Sequence, residues 1–172
     1  MKKTIALLII ASFFGLIGCN SINLKEYNGK PLSIAIIGEI PKIRENNIEF
    51  KEIGFSDMQS NDTLEKYDAI FITKDNLEEA ANKKYINIYK NASIPFFFIE
   101  NEKGHIPYTI ENLSYEDIPN GNSKYYITGL VFNGDETFKT YGYGLYNDIK
   151  NEKNIKDVYS RVFTTISEIS KI

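Results

Sequence analysis

Polar and apolar positions along the chain fall into two patterns. Short, nearly unbroken apolar runs alternate with longer stretches in which apolar residues return every third or fourth position. Leu32–Ile37 is a run of the first kind, closed by Gly38. Tyr67–Thr73 and Ile94–Ile99 are two more, the last holding Pro95 and three phenylalanines. Runs of this length predict strands covered on both faces, as in a parallel sheet. Residues 75–91 show the second pattern. Leu77, Ala81, Tyr85 and Ile88 share one helical face, and Glu79, Lys83, Lys84 and Asn87 lie opposite. Asp75 with Glu78 three residues later reads as a capping box, and Asn91 as the helix end. Strand, helix and strand in this order predict a βαβ crossover with parallel strands.

The other segments are weaker. Pro41–Asn47 admits one or two helical turns, and Ile48–Phe55 alternates in the manner of an edge strand. Residues 101–124 have little periodicity and read as a long loop with one helical turn near 115–118. Tyr125–Phe132 and Thr137–Tyr146 flank Asn133-Gly134, a dipeptide favoured in hairpin turns. Ile155, Val158, Tyr159, Val162, Phe163, Ile166 and Ile169 mark one face of a C-terminal helix. The expected fold class is α/β. It has a mixed sheet with a parallel βαβ front half, a C-terminal β-hairpin, and a C-terminal helix packed on the sheet. Residues 32–172 are expected to form one domain.

The N-terminus follows neither pattern. Met1-Lys2-Lys3 is basic, Ile5–Gly18 is apolar or small throughout, and the first acid is Glu26. That is the layout of an export signal. The run is short for a membrane span, which needs roughly 20 apolar residues. It lacks the polar face of a buried helix of the folded domain. It ends in Leu16-Ile17-Gly18-Cys19, and Cys19 is the only cysteine. This stretch resembles the lipobox of bacterial lipoproteins. The resemblance covers only these nineteen residues. It implies removal of residues 1–18 and diacylglyceryl attachment to the Cys19 thiol, with acyl chains such as palmitate as the anchor. Residues 19–31 would then be a lipidated tether. Two acyl chains suffice for stable attachment. The expected location is the outer face of the cell membrane, and heavy use of Lys, Ile and Asn fits an AT-rich, Gram-positive host.

Charge changes the picture modestly. The chain carries a net charge of -3. Loss of Lys2 and Lys3 with the signal would make it about −5. A mildly acidic chain without a basic cluster is a poor nucleic-acid binder, so no nucleic-acid partner is expected. The membrane would be met through the lipid. With Cys19 acylated no thiol remains for a disulfide.

Candidate chemistry is sparse. His105 is the only histidine, which argues against a histidine-based zinc site, and no metal or cofactor is expected. No G-x-S-x-G elbow occurs. Gly142-Tyr143-Gly144 lacks the third glycine of a dinucleotide fingerprint. Glu100 draws attention because it ends an apolar strand, where ligands of doubly wound folds sit. Tyr141 and Tyr143 share one face of a strand and could form an aromatic platform for a protein or glycan partner. The favoured reading packs them beneath the C-terminal helix, an ordinary place for strand tyrosines. Three classes of function follow. The favoured one is a non-enzymatic binding or interaction module. The alternatives are a small cell-surface hydrolase using carboxylates near Glu100, and a small-ligand carrier using the strand ends near Gly38, Glu39, Lys74 and Asp75.

Overall fold

The computed structural model describes residues 25–121, 124–134 and 137–169. Cys19 and the signal-like run lie outside the described residues. The strands are β1 (Leu32–Ile37), β2 (Ile48–Glu52), β3 (Ala69–Ile72), β4 (Phe96–Ile99), β5 (Tyr125–Phe132) and β6 (Phe138–Gly144). The helices are α1 (Asn61–Leu64), α2 (Leu77–Ala80), α3 (Lys83–Asn91) and α4 (Glu152–Ile169).

All six strands form one sheet in the order β2-β1-β3-β4-β5-β6. The pairs β2·β1, β1·β3 and β3·β4 are parallel. The pairs β4·β5 and β5·β6 are antiparallel. The mixed α/β architecture expected from the sequence is therefore present, with its parallel front half, its hairpin and its closing helix.

The buried strands explain their own composition. In β1, Ala35 and Ile37 face one core while Leu32, Ile34 and Ile36 face the other. In β4, Phe96 and Phe98 point one way and Phe97 and Ile99 the other. Both faces need apolar side chains because helices cover both. One layer is α1, α2 and α3 with Met58 and Tyr108, whose ring stacks on Phe98 at 3.6 Å. The other layer is α4, which buries Val158, Tyr159, Val162, Phe163 and Ile166. Burying such side chains contributes about 1.5–3 kcal/mol each.

Several local expectations need correction. The helix read over 75–91 is broken. Residues 74–76 form a 3-10 turn, α2 ends at Ala80, and Asn82 adopts extended dihedrals before α3 begins. Asp75 does not cap a helix. Asn82 does, its side chain accepting from the Lys84 amide at 3.2 Å. This restart shifts the helical phase, so α3 buries Tyr85, Ile86 and Tyr89 and leaves Ile88 at the margin. Pro41–Asn47 contains no helix. Residues 115–117 form a turn, and the one-turn helix of that loop is at Ile106–Tyr108. Residues 25–31, read as the end of a tether, are a strap on the domain. Tyr27 is buried against Phe163, and its hydroxyl donates to the Lys30 carbonyl at 2.8 Å.

Candidate functional site

The chain leaves β1 and β3 in opposite directions. Residues 38–47 cross onto the α4 side of the sheet, where Ile43 packs in the α4 core. Residues 74–80 cross onto the other side, where Leu77 and Ala80 are buried. Between two such exits, at the carboxyl ends of the strands, a doubly wound sheet leaves a crevice. Here it is an open cleft of about 930 Å³. Its walls are Glu39–Lys42 on one side and Thr73–Asn76 on the other. Ile99 and Glu100, Tyr126, and residues from Lys150 to Tyr159 complete it.

Gly38 makes the junction possible. Its φ of 112° is a conformation L side chains rarely adopt. A Cβ at this position would stand 1.8 Å from the Thr73 hydroxyl oxygen. With no side chain at Gly38, the Asn76 amide closes in. It donates to the Ile37 carbonyl at 3.4 Å and to the Thr73 hydroxyl at 3.1 Å.

Glu100 holds the most constrained position in the cleft. Its φ is 55°, in the left-handed region that costs a non-glycine residue about 1 kcal/mol or more. Its amide donates to the Tyr126 carbonyl at 2.6 Å. Its carboxylate accepts from the Lys150 ammonium at 2.6 Å and from the Tyr126 hydroxyl at 3.3 Å. The Lys150 nitrogen also lies 5.7 Å from the Tyr126 ring centroid. Asn147 and Asp148, with φ of 50° and 57°, turn the chain just before Lys150. These two and Glu100 are the non-glycine residues with positive φ among those described. All three lie on the two segments that bring Glu100 and Lys150 together. Burial, followed by the nearby Glu100 charge, pushes the Tyr126 hydroxyl up to about 12. Tyr159, on the cleft floor, is pushed up mainly by its own burial.

The other candidates lie elsewhere. Tyr143 is 7% exposed and packs in the α4 core with Phe97, while Tyr141 is half-buried beside it. The Tyr143 hydroxyl lies near Thr165 without hydrogen-bond geometry, and burial pushes it up to about 12. Gly142, on the opposite face, is covered by the Tyr125 ring, where a Cβ would approach to 2.5 Å. Tyr143 therefore sits beneath α4, and neither tyrosine lines the cleft with Glu100. His105 is half-buried against Phe138, and desolvation lowers its pKa. Gly38, Glu39, Lys74 and Asp75 do converge with Glu100 on the cleft.

Two further features lie away from the cleft. Glu45 is buried beneath the strap. It accepts from the Tyr27 amide at 3.3 Å, from its neighbour Arg44's amide at 3.2 Å, and from the Ser160 hydroxyl. Arg44 in turn reaches Ser160 at 2.9 Å and the Lys25 carbonyl at 2.9 Å. This network fastens strap, connection and α4 together. The second feature is an acidic hollow of about 860 Å³ that includes Glu78, Glu79, Glu111 and Glu116. No group of three or more His, Cys, Asp or Glu side chains among the described residues could hold a metal ion. No helix among them is long and apolar enough to cross a membrane.

No protein-family model, curated protein or solved structure matches the chain, so the cleft is judged on its chemistry alone.

Proposed function

We propose that the protein is a non-enzymatic binding module, tethered to the outer face of a bacterial cell membrane by lipid on Cys19, and that the strand-end cleft is its binding site. The observation that carries this reading is convergence. Five separate chain segments place charged and aromatic side chains around one cleft at the crossover point of the sheet. The tether rests on the export-type run and on Leu16-Ile17-Gly18-Cys19. A role in binding is favoured over hydrolysis by the partners of Glu100. Carboxylate-assisted glycoside hydrolysis typically uses a proton-donating acid paired with a second, ionised carboxylate. Glu100 instead faces an ammonium group and a tyrosine hydroxyl. The tyrosine platform gives less support, because Tyr143 is spent on the core.

The test has two arms. In cells, Cys19→Ala should move the protein from the membrane fraction to the soluble fraction without changing its thermal melting. Retention in the membrane would overturn the tether. In vitro, a panel of small polar metabolites is screened by thermal shift against the full chain. Stabilising compounds should lose their effect in Glu100→Gln, and hits that persist unchanged would place binding away from the cleft.

A further inference from the structure

The cleft contains its own clue to ligand class, and the argument rests on the cleft being the binding site. Glu100 is held by a left-handed backbone and by the Tyr126 hydroxyl, so its carboxylate is pre-positioned. Beside it, the ring of Tyr126 offers a π-face. A carboxylate next to an aromatic face is the arrangement that recognises organic ammonium groups, through charge and the ring quadrupole together. That position is filled in this structure by an ammonium group. It belongs to Lys150, 2.6 Å from the carboxylate and 5.7 Å from the ring centroid.

Lys150 is a poor permanent occupant. Its side chain is 57% exposed, whereas that of Glu100 is 28% exposed. It reaches in from the irregular segment before α4, on a flexible four-carbon stem. An exposed ion pair of this kind shifts an equilibrium by no more than about fivefold. A ligand can therefore displace it at small cost. The remaining floor, Ile99, Ile155 and Tyr159, is apolar and can cover the body of such a ligand. Glu39, Asp75, Glu100 and Glu152 stand around the cleft with Lys42, Lys74 and Lys150, and Glu152 is itself paired with Lys156 at 2.6 Å. We infer that the cleft binds a small organic cation, a primary or quaternary amine, whose ammonium group takes the place of the Lys150 side chain between Glu100 and Tyr126.

The test uses the full chain in maltoside micelles with isotope-labelled tyrosine, titrated with four probes and followed by NMR. The probes are choline, ethylammonium, the neutral carbon isostere of choline, and propionate. Choline or ethylammonium should shift the Tyr126 and Tyr159 resonances, and the neutral isostere should bind at least about tenfold more weakly than choline. Lys150→Ala should tighten cation binding by up to about fivefold, because it removes the competing ammonium. Glu100→Gln should weaken it about tenfold while leaving the melting temperature nearly unchanged. Equal binding of choline and its isostere overturns the ligand class but leaves the cleft as a site. Propionate binding that disappears in Lys150→Ala does the same and makes lysine the recognising group. If no probe moves the two tyrosines in either the parent or the Lys150→Ala protein, the cleft itself fails as a small-ligand site, and the binding half of the proposed function falls with it.

Discussion

Gly38 shows how much of a site one absent side chain can determine. It ends β1 at a φ of 112°, with Thr73 and Asn76 pressed against the space where a Cβ would be. Backbone strain of this kind costs on the order of 1–3 kcal/mol, and the clash with Thr73 adds to it. Gly38→Ala should therefore lower the unfolding free energy by about 2–3 kcal/mol or more in urea denaturation. An unchanged denaturation midpoint would show that the β1 exit is not held as described. Glu100 is the complementary case. It pays a left-handed backbone without being glycine, and the site gains a carboxylate fixed in direction.

At the scale of elements, legibility followed burial on two sides. The apolar runs of β1, β3 and β4 announced themselves because both faces are covered, and the apolar face of α4 did so because one long helix keeps its phase. The 75–91 helix misled because its period survives only locally. A break at Ala81-Asn82 resets the phase, and an asparagine cap looks the same in sequence whether it starts a helix or interrupts one. The crossover from β1 to β2 was also opaque. It runs without a helix and is held by Arg44 and Glu45, whose partners on α4 lie more than a hundred residues away. Glu45→Ala removes an acceptor shared by Tyr27, Arg44 and Ser160. It should destabilise the fold by roughly 2–4 kcal/mol. Glu45→Gln keeps an acceptor oxygen and should cost less. Equal and small effects on chemical denaturation would show that the network contributes little.

For the molecule as a whole, the tyrosines set an alkaline limit. Tyr126 and Tyr143 are pushed up to about 12, and Tyr89, Tyr108 and Tyr159 also upward, with burial as the largest cause in each. In the unfolded chain these phenols ionise near pH ~10. The unfolded state thus gives up protons first as pH rises. Stability is fully present below pH ~10 and is lost on the way through about 12. Tyrosinate absorbance should rise together with loss of helical circular dichroism. Smooth titration of all tyrosines near their free value, with the fold intact, would contradict this. The site was legible only in part at this scale. Glu100 and the strand ends could be read from the position of an apolar run. Lys150 could not, because the turn that aims it depends on Asn147 and Asp148 adopting a backbone that no motif announces.

The buried strap decides where the domain begins. Tyr27 fills a space against Phe163 and supplies a backbone donor to Glu45. A polypeptide cut at Pro31, where composition alone draws the border, would lose a piece of its own interior and strand a buried acid. Any fusion or truncation of this protein should therefore leave Lys25, Glu26 and Tyr27 in place.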